Sequence, residues 1–234
     1  MKKFFSDKPV LFGLAVFALG MVLAAIFMLP GTVLYLPQDF SVSIGRLLAS
    51  AVIWFIFRRY FKDIHPFSGL LMGMPLLLFA AWNLGHNLSN GMSMTLDYFS
   101  AFVNALAPAV FEEFIFRVIE IGKLRECSKT QMYALLASSL LFSLIHITNI
   151  ISGQIAATLI QLLYSFSIGM ILGAVYLKTN DLCSIILYHF LIDLSSQIFT
   201  ETPQTTSILF LVLIGVLVIM GPLYGIWLIS KDKQ

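Results

Sequence analysis

Ala156-Ala-Thr-Leu-Ile-Gln-Leu-Leu-Tyr-Ser-Phe-Ser-Ile-Gly-Met-Ile-Leu-Gly-Ala-Val-Tyr-Leu177 runs for 22 residues without a charged side chain. At about 1.5 Å of rise per residue, such a helix crosses a hydrocarbon layer about 30 Å thick. Similar apolar runs recur at about 9–29, 42–60, 68–84, 101–121, 131–150, 182–199 and 206–229, separated by short polar breaks, the third and seventh being the shortest. Of the whole chain 59% is apolar and 11% charged, far more oil than a soluble globule of this size hides in its interior. The expected fold is therefore all-α: a polytopic bundle of about eight spans, one membrane domain over residues 1–234, with the lipid bilayer as its solvent.

The basic residues orient that bundle, because Lys and Arg are retained on the cytoplasmic side during insertion. Lys2, Lys3 and Lys8 precede the first run; Arg58, Arg59 and Lys62 follow the second; Lys123, Arg125 and Lys129 follow the fourth; Lys178 follows the sixth; Lys231 and Lys233 follow the eighth. These are 12 of the 14 basic residues, and all fall on one face, whereas the loops around 30–41, 85–100, 151–155 and 200–205 contain none. Both termini are expected to be cytoplasmic. The net charge of +2 reflects this bias and points to no nucleic-acid partner. The first run is longer than a signal-peptide core and lacks a small-x-small cleavage site, so it reads as a span. The final Lys-Asp-Lys-Gln is no prenylation box. Cys127 and Cys183 fall near the cytoplasmic face and suggest neither a disulfide nor a zinc cluster. Pro108 interrupts the fourth run and is expected to kink it or start a fresh helix. Gly169 and Gly173 form a small-xxx-small spacing that lets a neighbouring helix approach.

Two basic residues, Arg46 and Arg117, fall inside spans, where a charge is expensive and marks a functional site by default. Arg46 reads as lying near the outer end of the second span, its stem snorkelling to the interface. Arg117 closes the charged part of Phe111-Glu-Glu-Phe-Ile-Phe-Arg-Val-Ile-Glu120 on its basic side. Residues four apart share a helix face, so Arg117 pairs with Glu113, with Glu120 a further turn along the same stripe. Adjacent residues point about 100° apart, which leaves Glu112 without a partner on its own helix. A lone carboxyl in a low-dielectric site suits a general base, so Glu112 is the candidate base and Glu113 its support.

His146 lies near the end of the fifth span, and His189 in the middle of the seventh with Asp193 one turn on. One buried histidine is ordinarily a packing residue; two of them with a glutamate pair and an Asp on three spans form a convergent constellation. Peptide hydrolysis needs an activated water, oxyanion donors and a proton source for the leaving amine. Glu112 and His146 can hold and deprotonate a water from two sides. His189 can donate to the oxyanion or place the substrate carbonyl, while Asp193 can orient His189 or, if protonated, donate itself. His65 and His86 read as solvated loop residues. No serine sits in a nucleophile elbow.

The motifs Glu112-Glu113-x-x-x-Arg117, Phe142-x-x-x-His146 and His189-x-x-x-Asp193, with the connecting Phe166 to Ile185 stretch, resemble the CAAX-processing and bacteriocin-processing membrane proteases, the Abi or type II CAAX protease group. The resemblance covers about residues 105–197, within a catalytic core of spans four to seven at 101–199. It implies a glutamic-type intramembrane endopeptidase without cofactor, in which Glu112 and His146 activate water and His189 with its i+4 partner forms the oxyanion site. Asp193 stands where many members carry Asn, and Val118 where many carry Gly or another small or aromatic residue. The expected substrate is a peptide or membrane-protein precursor, in bacteriocin or pheromone maturation or in self-immunity; the oligomeric state is open. A zinc-dependent membrane metalloprotease, using one glutamate and two histidines, is the enzymatic alternative, although His-Glu-x-x-His is missing. A non-catalytic bacteriocin-immunity protein is an alternative of another class. A transporter is a third, with no inverted repeat to favour it. The Lys-, Phe- and Ile-rich composition points to a bacterial cell membrane.

Overall fold

The computed structural model describes residues 7–153, 155–200 and 208–230. Lys2, Lys3, Lys231 and Lys233, and residues 201–205 of the last expected loop, lie outside the described residues. Nine α-helices are described: α1 (Pro9–Val33), α2 (Gln38–Phe57), α3 (Met74–Ser89), α4 (Tyr98–Glu113), α5 (Ile121–Glu126), α6 (Gln131–Leu144), α7 (Ile155–Thr179), α8 (Leu182–Gln197) and α9 (Ile208–Ser230). A π-helical segment, Phe114–Glu120, joins α4 to α5 without a break, and a 3-10 segment, Ile145–Ser152, extends α6. Each expected apolar run thus holds one helical rod. Pro108 lies inside α4 and starts no new helix.

Five of the described segments are long and apolar enough to cross a membrane: Pro9–Val33, Gln38–Tyr60, Gln131–Ile151, Ile155–Thr179 and Phe210–Ser230. The remaining rods fall short for physical reasons. α3 and α8 have 16 residues each, about 24 Å of helix. The α4–α5 rod carries Glu112, Glu113, Arg117, Glu120, Lys123, Arg125 and Glu126, too many charges for an apolar span. Of these, α8 and most of α4 lie inside the bundle and α3 at its edge: α4 packs on α8 and α2, and α3 on α8, while α1 lies against α2 and α9 against α7. Outward-facing apolar residues such as Val22 on α1, Phe55 on α2 and Ile219 on α9 are more than half exposed, a surface suited to lipid.

Two apolar clusters flank the middle of the molecule. Val16, Ile53, Phe111, Phe116 and Phe142 belong to one; Leu76, Val118, Leu135, Ile171 and Tyr188 belong to the other. Lipid tails are as apolar as Leu, so close backbone approach through small residues does much of the joining. Gly169 and Gly173 bring α7 against Ser139, Phe142 and Leu135 of α6, as their spacing suggests. Gly225 of α9 is tighter: a Cβ there would sit 2.6 Å from the Met170 carbonyl oxygen of α7. Backbone cannot swing away as a side chain can. Gly225→Ala should therefore destabilise the protein by about 1–3 kcal/mol, read as a lower melting temperature in detergent, whereas Gly215→Ala, with nothing within 4 Å, should not.

Side-chain caps fix where the inner rods begin. Asp97 accepts from Ser100 N–H at 3.0 Å at the start of α4. The buried Asp181 accepts from Ser184 N–H at 2.9 Å and from Gly69 N–H at 2.7 Å, tying the loop before α3 to the start of α8. At the other end, Thr95 N–H donates to Ile198 O at 2.8 Å and Thr200 N–H to Ser93 O at 3.0 Å, pinning the α3–α4 loop to the end of α8. The depth of every α4 and α8 side chain follows from these ties.

Candidate active site

Glu113 and Arg117 are both fully buried, and Arg117 Nε donates to Glu113 Oε2 at 3.0 Å. Arg117 also donates from a terminal nitrogen to Ser138 Oγ at 2.7 Å, while Ser138 donates to Phe116 O at 2.9 Å. The guanidinium lies 4.7 Å from the Phe142 ring centroid, a cation–π contact that a desolvated site strengthens. The i+4 pairing read from the sequence is present. Glu120 does not extend it: the π-helical turn after Glu113 holds more residues per turn, which carries Glu120 round to face Gly13 of α1. Its carboxylate is buried and makes no hydrogen bond among the described residues.

The other oxygen of Glu113 meets α8. His189 Nδ1 lies 2.8 Å from Glu113 Oε1, and a carboxylate only accepts, so Nδ1 carries the hydrogen. His189 Nε2 then faces Asp193 Oδ2 at 3.6 Å and Glu112 Oε2 at 3.9 Å, both beyond hydrogen-bond length. Glu113, expected only to support Glu112, is thus also what orients His189, a contact made through the fold. Asp193 lies near the reactive edge of the ring and is not its main orienting partner.

His146 follows the end of α6, in the tighter 3-10 segment where a continuous helix to residue 150 was expected. Its Nδ1 lies 3.0 Å from Phe142 O and 3.3 Å from Ser143 O. Carbonyl oxygens cannot donate, so Nδ1 carries a hydrogen, and in the neutral ring Nε2 keeps a lone pair. The Phe142 ring spaces the two histidines, with centroids 5.6 Å from His146 and 5.5 Å from His189. Glu112 is 8% exposed, and its Oε2 has no hydrogen-bond partner among the described residues.

Two cavities meet at these side chains. A cavity of about 630 Å³ is lined largely by apolar groups, including Phe79, Ile160, Tyr164, Ile168 and Ile214, together with Asn83 and His86. A second, of about 330 Å³, is polar, with Arg46, Glu112, Thr148, Asn149 and Gln161 in its wall. His146, His189 and Asp193 line both. All six sequence-selected residues are therefore gathered in one place: four at the junction or its wall, with Glu113 and Arg117 directly behind. Among the described residues no three His, Cys, Asp or Glu side chains are arranged to share one metal ion.

Two expectations change. Arg46 does not sit at a helix end, because α2 begins at Gln38 and not at 42. That places Arg46 about 12 Å along the helix, and it lines the polar cavity. His86 belongs to α3, stacks on Phe210 at 4.8 Å and lines the larger cavity; it is not an external-loop residue. His65 lies in a loop and is exposed, as expected. Asn83 was missed altogether, since one Asn in an apolar run carries little signal; its amide donates to Ser195 Oγ at 2.8 Å and Ser196 Oγ at 2.9 Å.

Neither a search of curated proteins nor one of solved structures returned a match. A scan of family models matched residues 94–195, the span that holds Glu112, Glu113, Arg117, His146, His189 and Asp193. The model matched is that of the Rce1-like type II CAAX prenyl endopeptidases, a family of membrane endopeptidases, and it is to these that this part of the chain is similar.

Proposed function

We propose that this protein is a metal-independent, glutamic-type intramembrane endopeptidase that cleaves a peptide or membrane-protein precursor. The observation that carries this reading is Glu112 Oε2, which has no hydrogen-bond partner among the described residues, on a side chain in the wall of a polar cavity that His146 also lines. Glu112 takes a proton from a water that His146 Nε2 holds by its lone pair. The hydroxide attacks the scissile carbonyl, and Glu112 returns the proton to the leaving amine. His189 acts as the imidazolium: its Nδ1 hydrogen is held by Glu113, and its Nε2 hydrogen is presented to the oxyanion. The 630 Å³ cavity takes the apolar part of the substrate, and the scissile bond lies where the two cavities join. The test is a comparison of cell-surface and secreted peptides between wild-type cells and cells expressing Glu112→Ala. A precursor that accumulates only in the variant names the substrate; identical peptide profiles overturn the assignment.

The same reading gives an orientation: eight crossings of a bacterial cell membrane, with the loops holding Arg58, Lys123 and Lys129 in the cytoplasm. Asn90 and Lys129, both exposed, lie in loops on opposite sides of this arrangement. In a background with Cys127 and Cys183 replaced by Ser, an impermeant maleimide applied to intact cells should label Asn90→Cys and not Lys129→Cys. Labelling of Lys129→Cys reverses the orientation.

A further inference from the structure

Arg46 lies on α2, outside the segment that matches the family model, yet shares the wall of the polar cavity with Glu112, His146, His189 and Asp193. Apart from the histidines it is the cationic side chain in that wall. Charge in a span is expensive unless matched, so the carboxylates can be assigned partners one by one. Glu113 is matched by Arg117 at 3.0 Å, a closed pair with both members fully buried. Glu112 and Asp193 both approach the same nitrogen of His189, at 3.9 and 3.6 Å. One imidazolium offsets one carboxylate. The second must hold a proton or find another cation, and Arg46 stands with Asp193 in the wall of the same cavity.

We infer that Arg46 is a positioning residue of this site, the counter-ion that neutralises Asp193 on the side of the polar cavity where His189 presents its donor. The kinetic consequence rests on the peptidase reading; the pairing itself does not. A bare carboxylate beside His189 Nε2 would repel a developing oxyanion and compete with it for the imidazole hydrogen. Arg46 removes that repulsion by drawing the Asp193 charge toward α2. The residue that tolerates an acid at position 193 therefore sits on a different helix, more than 140 positions earlier in the chain.

A double-mutant cycle separates this role from direct contact with substrate. Wild type, Arg46→Gln, Asp193→Asn and the double variant are purified in detergent, and melting temperature and cleavage rate are measured for each. Arg46→Gln should lower the melting temperature by about 3–8 °C in the wild-type background, and by less than about 1 °C in the Asp193→Asn background. It should lower kcat about 100-fold in the wild type, and change it less than about threefold in Asp193→Asn. Arg46→Lys, which keeps the charge, should recover most of both losses. Equal effects of Arg46→Gln in the two backgrounds overturn the pairing, and a rise in KM alone, persisting in the Asp193→Asn background, assigns Arg46 to substrate binding instead. If the wild type shows no Glu112-dependent cleavage, the peptidase reading fails, and the melting temperatures still decide the pairing.

Discussion

Glu112→Gln protein, reconstituted into liposomes with its precursor, is expected to cleave about 1,000-fold more slowly than wild type, with KM little changed. Gln keeps the size of Glu and can still accept a hydrogen bond from water, but it takes no proton. The loss therefore falls on the chemical step. Glu112 Oε2 makes no hydrogen bond among the described residues, so the variant should melt within about 1 °C of wild type. His146→Ala should lose rate to a similar degree, since the lone pair on Nε2 exists only while Phe142 and Ser143 carbonyls hold the hydrogen on Nδ1. The two losses should not multiply when combined, because both act on one water. Rates within tenfold of wild type for Glu112→Gln remove the general base from the mechanism. A tight stoichiometric zinc required for cleavage would restore the metalloprotease alternative.

How far the sequence carried the reading depends on the length over which each signal acts. The split between Glu112 and Glu113 was legible because it needs only helical geometry within one turn, and the Glu113–Arg117 pair forms as that geometry dictates. Glu120 was misplaced by the same reasoning, since nothing in Phe114–Glu120 announces a π-helical turn. Arg46 was assigned to the interface because Val42 looked like the start of a span, whereas α2 already begins at Gln38, one turn earlier. An error of about 6 Å in depth turned a site residue into an anchor. The contact between Glu113 and His189 joins residues 76 positions apart and exists only once α4 packs on α8. Hydropathy likewise marked eight runs but could not tell the outer helices from the inner ones. Glu112, Glu113, Arg117, His189 and Asp193 lie on the short or charged rods, whereas His146 and Arg46 lie on segments long and apolar enough to cross a membrane.

Arg117→Met should be the most destabilising single change in the site. Met fills a similar volume and suits the apolar surroundings, so the loss isolates the charge and its hydrogen bonds. Glu113 would remain fully buried with its Oε2 unpaired and only His189 to answer it. Breaking one side of a buried pair costs about 3–5 kcal/mol, which for a chain of this length corresponds to a melting temperature roughly 10 °C lower. Ser138 and the Phe142 ring lose their cation as well, and Phe142 touches both histidines. Activity should therefore fall even at temperatures where Arg117→Met is fully folded. Pairing the change with Glu113→Gln removes the stranded charge, so the double variant should recover more than half of the lost stability. The amide oxygen that Glu113→Gln introduces can still accept from His189 Nδ1, and part of the activity should return with it. Arg117→Met protein as stable as wild type, or a double variant less stable than the single, would show that Glu113 does not depend on Arg117, and His189 would then need another support.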